Sequence, residues 1–279
     1  MTKNLLNISG KISEPIVKIY ELIAEVANQN DTQFFIIGAS ARDIIFEHAY
    51  GIKAPRATRD IDLAVQVATW HEFQRLKDQL IATGQFGSTK MVQRLMYQNN
   101  IPVDIVPFGT IESEGIISWP PENDIEMNVT GFQDVYDNTQ LVRLRENPEL
   151  DMFVVTPAGL MVLKIMAWDE RKSLTQKDAL DIEFILQNYV DAGNEGSLWE
   201  YYEDLAADEN HDYNLDGARI LGRDMAKILS AQSKQLIQNI LAAETGEQKI
   251  YRLVEAMSNL EQFEQRLELL ETFKRGFND

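Results

Sequence analysis

The sequence contains no cysteine, which excludes disulfide scaffolds, thiolate zinc sites and cysteine nucleophiles together. Histidine is scarce: only His48, His71 and His211 occur, too scattered for a histidine-rich metal cluster. Apolar runs are short, on the scale of Phe34–Ile37, far below the roughly 20 residues that a membrane span needs. Met1–Gly10 has neither the charged start nor the apolar stretch of a secretory signal. A cytoplasmic protein with no membrane partner is therefore expected. Positive charge is in deficit, with 26 Lys and Arg against 44 Asp and Glu and a net charge of −18. That balance disfavours non-specific affinity for nucleic acid or anionic lipid.

What is present is a chain of 279 residues, 44% hydrophobic, enough for a proper core. The charge is uneven. Residues 191–216 hold nine acidic side chains and no Lys or Arg. This segment reads as a solvated helical surface, with a docking face for a basic partner as the alternative. Residues 42–101 hold eight basic side chains against six acidic and are slightly positive.

The patterning divides the chain. Ser13, Glu14 and Pro15 open a helix with a stripe of Ile16, Ile19, Ile23 and Val26. Gln33–Ile37 reads as a buried strand, Ala41–His48 as a helix and 51–58 as a loop. Asp60–Val67 reads as a strand, followed by a helix capped by Thr69. Two further strands, Thr89–Tyr97 and Ile101–Val106, meet at Asn99-Asn100. After Val154-Val155 only helices are expected: 157–170, 175–189, 198–207, 215–229, 235–243 and 249–273, the last broken near Asn259. The predicted architecture is an α+β domain with a mixed sheet over residues 1–150, then an all-helical domain over 151–279.

Three features of the first domain carry chemistry. Gly38-Ala39-Ser40 joins a strand to a helix, where glycine permits close approach and a helix start attracts phosphate. In Asp60-Ile61-Asp62-Leu63, strand alternation puts both carboxylates on one face. Two such carboxylates repel unless a cation lies between them, and magnesium prefers hard oxygen ligands. A solvated edge strand is the alternative. In Ile101–Val106 a single carboxylate, Asp104, interrupts an apolar strand, a costly placement unless it is paired or ligated. Three carboxylates in one cleft suit two metals on a phosphoryl group.

Gly38-Ala39-Ser40, then Asp60-x-Asp62, then Asp104 together resemble the DNA polymerase β nucleotidyltransferase superfamily. Arg56-Ala57-Thr58-Arg59-Asp60-Ile61-Asp62-Leu63 is similar to the corresponding motif of AbiEii-type toxins and minimal nucleotidyltransferases. Lys164 and Lys177-Asp178, with Asp181 a turn later, match that family's helical lysine and basic-Asp motifs. The resemblance covers about Gln33–Tyr189. It implies a magnesium-dependent (or manganese-dependent) enzyme that moves a nucleoside monophosphate from a triphosphate to a hydroxyl acceptor. Asp60, Asp62 and Asp104 would be catalytic and metal-binding. Gly38, Ala39, Ser40, Arg42, Lys164, Lys177 and Asp178 would bind the nucleotide. RNA is the acceptor it suggests, and an antitoxin protein the partner. A metal-dependent nuclease and a non-catalytic binding module of the same fold stay open.

The second-domain residues have structural readings too. Lys164 sits among apolar neighbours from which a lysine can snorkel to the surface. Asp178 could complete a capping arrangement with Thr175, and Lys177 with Asp181 could be a helix i,i+4 pair. Lys53, Arg56, Arg59, Lys90 and Arg94 could form a rim for an RNA backbone, or merely offset the nearby acids.

Overall fold

In a computed structural model, residues 5–56, 58–200, 205, 212–246, 251–257 and 260–279 are described. The chain divides into two compact units, Met1–Thr156 and Pro157–Asp279.

The first unit is built on an eight-stranded mixed sheet. Its strands are β1 (Leu6–Asn7), β2 (Gln33–Ile37), β3 (Ile61–Gln66), β4 (Phe86–Ser88), β5 (Arg94–Tyr97), β6 (Ile101–Phe108), β9 (Gln140–Glu146) and β10 (Glu149–Val154). They lie in the order β1-β9-β10-β2-β3-β6-β5-β4. β7 (Ile116–Trp119) and β8 (Ile125–Asn128) form a separate antiparallel pair. The central strands are apolar because both their faces are covered: Ile36, Leu63, Val103 and Ile105 are buried on one face, and Phe35, Ala64 and Phe108 on the other. Helix α1 (Glu14–Gln29) presents the buried stripe Ile19, Tyr20, Ile23 and Val26. Helix α3 (Trp70–Ala82) is capped by Thr69, whose side chain accepts the Glu72 N–H. On the other face Phe35 and Phe108 meet edge-on at 5.6 Å, and Tyr136 of α4 (Phe132–Asp137) joins both. β10 continues past residue 150, where the sequence pattern puts the domain boundary, because its alternation runs on to Val154.

Three local expectations change. The helix after β2 begins at Gly38 itself: α2 spans Gly38–Arg42 and runs on as a π-type turn over Asp43–Ala49. Of the strand expected over 89–97 only Arg94–Tyr97 (β5) forms, and Lys90 lies in the turn that joins it to β4. The β5–β6 turn has positive φ at Gln98 and Asn99, one residue earlier than the Asn99-Asn100 pair.

In the second unit every described element is helical: α5 (Pro157–Arg171), α6 (Lys177–Asn188), α7 (Glu195–Glu200), α8 (Tyr213–Ile228), α9 (Ala231–Glu244), α10 (Arg252–Ala256) and α11 (Phe263–Asn278). Most of the helix expected over 198–207, the break near Asn259 and much of the acidic 191–216 segment lie outside the described residues. Arg266 on α11 and Glu183 on α6 form a buried ion pair. Helices α8 and α11 approach so closely that a Cβ on Gly276 would lie 2.0 Å from the Arg219 carbonyl oxygen. Gly276→Ala should therefore lower stability by about 1–3 kcal/mol through overpacking. An unchanged denaturation midpoint would contradict that close approach.

Candidate active site

Sheet register assembles the site. β3 and β6 run parallel with Asp62 opposite Asp104, and β5 runs antiparallel to β6 with Arg94 opposite Asp104. Partners in register share a face, so Asp62, Asp104 and Arg94 form one row across three strands. Asp60 lies two residues before Asp62, just ahead of β3. Its carboxylate reaches the same group, since Arg94 Nη2 is 3.6 Å from Asp60 Oδ2 and 2.7 Å from Asp104 Oδ2. Arg94 Nε also donates to Asp104 Oδ1 at 2.7 Å, which makes a two-pronged pair. The Asp104 hydrogen bonds, with the added pull of Asp60 and Asp62, raise the pKa of Arg94 further above its ordinary value.

Gly38 is dictated by Asp62. It adopts φ +66°, and a Cβ there would fall 2.2 Å from Asp62 Oδ2 and 2.6 Å from its Cγ. The missing side chain is the space that the carboxylate fills. Ser40, two residues on, is buried. Its hydroxyl donates to the Ile37 carbonyl at 3.1 Å and accepts the Asp62 N–H at 3.3 Å. Burial raises the pKa of Tyr20, and Ser40 offsets that in part. The Ser40 hydrogen bonds clamp the start of β3 to the turn after β2. Ser40 thus holds the Asp62 backbone in place.

Arg42 also makes internal contacts. It is buried, donates to Asp43 Oδ1 through Nε and Nη2, and donates to the Arg56 carbonyl at 2.7 Å. The guanidinium pins the loop that leads into the Asp motif. Ala39 is buried in the same turn.

Lys164, Lys177 and Asp178 belong to the second unit. Lys164 does not snorkel: its ammonium is buried, 2.6 Å from Asp181 Oδ2 and 3.3 Å from Asp178 Oδ1. Arg171 grips Asp178 with two hydrogen bonds, at 2.6 and 2.8 Å. Burial pushes the pKa of Asp178 up, but Arg171 and Lys164 outweigh it and hold the carboxyl below its usual value. Asp178 is thus an ion-cluster residue rather than a cap, and Asp181 pairs with Lys164 rather than with Lys177. Lys177 is exposed and has no ion pair among the described residues.

Among the described residues no three acidic or histidine side chains converge as a ready metal cage. The donor set nevertheless suits a hard cation. Three carboxylates share one side of the sheet, and a cationic group already bridges two of them. Asp60 and Asp62, hard ligands two residues apart at the start of β3, are the pair that would hold a divalent ion.

The sequence model of the nucleotidyl transferase AbiEii toxin family, from Type IV toxin–antitoxin systems, matches residues 31–267. The chain belongs to this family. It is a nucleotidyltransferase, the first of the three activities the sequence left open. No curated protein matches the chain significantly. Solved structures with some likeness include the lincosamide antibiotic adenylyltransferase LnuA bound to lincomycin, at 15% identity and TM-score 0.36, covering 62% of this chain and 96% of that one. ANT(2")-Ia in complex with adenylyl-2"-tobramycin has 11% identity and TM-score 0.38, covering 66% and 99%. The Thermotoga maritima CCA-adding enzyme complexed with tRNA has 8% identity and TM-score 0.30, covering 92% and 70%. At such scores these likenesses carry no argument about the site.

The Gly38–Asp62 approach makes a double-mutant test possible. Gly38→Ala should cost about 1–2 kcal/mol for the left-handed backbone alone, plus the displacement of the Asp62 carboxylate. In an Asp62→Gly background only the backbone part should remain, since the Asp62 Cβ itself would lie 2.7 Å from the new one. Equal destabilisation in both backgrounds, measured by chemical denaturation, would show that the two residues do not compete for that space.

Proposed function

We propose that this AbiEii-family nucleotidyltransferase is divalent-metal-dependent and transfers a nucleoside monophosphate to RNA, as a toxin countered by an antitoxin partner. The observation that carries the proposal is the row of carboxylates held in register on β3 and β6. Asp60 and Asp62 would hold magnesium, with manganese as its substitute, and Asp104 is the third carboxylate of the set. When bound, the metal neutralises the triphosphate and lowers the pKa of the acceptor hydroxyl. The protein's part is to fix position. Ser40 and the gap at Gly38 set the Asp62 carboxylate, and Arg42 sets the approach to Asp60. We assign the backbone N–H groups of Gly38, Ala39 and Ser40, in the first turn of α2, to a β- or γ-phosphate oxygen. In the second unit Lys177 is the triphosphate-binding residue we favour. Lys164 and Asp178 hold the first turn of α6 behind it. Preorganised charge of this kind contributes most of the catalysis in phosphoryl chemistry.

The reaction is tested by incubating the protein with magnesium, each labelled nucleoside triphosphate in turn, and total RNA. Label should enter RNA. RNA shortening without label, or label found only on protein, would overturn the acceptor assignment. Asp62→Asn should abolish transfer while leaving the fold intact, and full activity in an Asp60→Asn, Asp62→Asn double variant would remove the metal assignment.

The RNA surface we propose is narrower than the five basic residues of the sequence. Arg94 is bound to the acids and Arg56 has its Nε buried. Lys53, Arg59 and Lys90 are exposed, with no ion pair among the described residues. Lys53→Glu with Lys90→Glu should weaken RNA binding. The double change should also reduce the log–log salt slope by about 0.7 for each single-strand phosphate that is no longer neutralised. Nucleotide affinity should hold. An unchanged slope would exclude these lysines from the interface.

A further inference from the structure

The third carboxylate, Asp104, is already taken. Both of its oxygens accept hydrogen bonds from Arg94, at 2.7 Å each. The same guanidinium extends to Asp60 Oδ2 at 3.6 Å. This pair is built into the sheet, since Arg94 and Asp104 are directly opposed in the β5–β6 ladder. It is also sheltered, with side-chain exposures of 25% and 19%. On the other side of Asp104, Asp62 is its register partner on β3. Three like charges therefore crowd one end of the sheet, and the Arg94 guanidinium lies between two of them, Asp60 and Asp104. A guanidinium there does two things. It offsets repulsion that would otherwise strain the site. It also covers the oxygen edge that Asp104 would present to a metal.

We propose that Arg94 is an internal counter-cation that withholds Asp104 from divalent metal until the metal displaces it. Asp60 and Asp62 take a first ion. A second ion, which needs Asp104, must break a two-pronged charge-assisted pair, so Arg94 sets the metal concentration at which the site becomes complete. Once released, the guanidinium stands beside the reacting groups as a donor for an anionic oxygen. Arg94 is thus a positioning residue that acts on Asp104. The inference rests on the carboxylate-site reading given above.

Calorimetric titration with Mn2+ in the presence of a non-hydrolysable nucleoside triphosphate tests it. Wild-type protein should show two binding steps, the second weaker. Arg94→Gln should leave the first step near its wild-type affinity and tighten the second by about tenfold to a hundredfold, the range for a charged hydrogen bond removed from competition. Arg94→Lys keeps the charge but cannot make both bonds, and should fall between the two. Without metal, Arg94→Gln should lower the melting temperature, and saturating Mn2+ should restore it. A second step unchanged or weakened in Arg94→Gln, with two steps retained in the wild type, would overturn the role of Arg94 alone. No saturable Mn2+ binding in either protein would overturn the carboxylate site and this inference with it. Should Arg94→Gln not fold, Arg94→Lys carries the same comparison: a second step equal to the wild type's would overturn the inference.

Discussion

Like-charge repulsion among Asp60, Asp62 and Asp104 is the constraint around which the first unit is organised. Carboxylates in register on neighbouring strands destabilise a sheet unless positive charge or ordered donors offset them. The protein supplies both. Arg94 reaches Asp104 and Asp60 from the next strand along. The Ser40 hydroxyl accepts the Asp62 backbone N–H and so fixes where that carboxylate emerges. The strand-to-helix turn at Gly38 leaves room for Asp62 by having no side chain of its own. An apolar body beneath these groups keeps them in place. Ile61, Leu63, Val103 and Ile105 are buried on the sheet face opposite the acids. Phe35, Phe108 and Tyr136 pack farther along the acids' own face.

The two units handle buried charge by different means. In the first, the acids remain partly exposed and one cation serves two of them. In the second, Lys164, Arg171, Asp178 and Asp181 form a balanced cluster of two cations and two anions, and Asp178 is wholly buried. Breaking such a cluster leaves an uncompensated buried charge and costs several kcal/mol. The cluster ties α5 to α6 and holds the start of α6, where Lys177 is exposed.

Most of this was legible as pattern. The Asp-x-Asp spacing, the glycine at the strand-to-helix turn and the lone acid in an apolar strand pointed to one face of one sheet. The motif order suggested the family to which the chain belongs. Side chains were harder to read, because their partners lie far away in sequence. Ser40 and Arg42 belong to a local motif, yet each is hydrogen-bonded to a neighbour 14 to 22 residues on, which the motif does not reveal. Arg94 looked like part of a basic rim. Its true neighbour could have been found by counting three residues outward on each strand from the Tyr97–Ile101 closing pair. That count needs the turn placed correctly, and positive φ at Gln98 and Asn99 places it one residue earlier than the asparagine pair suggests.

The sequence by itself determined what depends on near neighbours. Alternation set which face Asp60 and Asp62 share, apolar periodicity separated a sheet-bearing half from a helical one, and composition removed cysteine chemistry. Tertiary structure alone decided which charges meet. The β3–β6 and β5–β6 registers put Asp104 between Asp62 and Arg94, and the packing of α5 on α6 turned Lys164 toward two carboxylates. The physical reason is one of range. Backbone periodicity is written within a few residues, whereas a hydrogen-bonded ion pair is fixed only when strands or helices distant in sequence bring a donor and an acceptor atom within about 3 Å of each other.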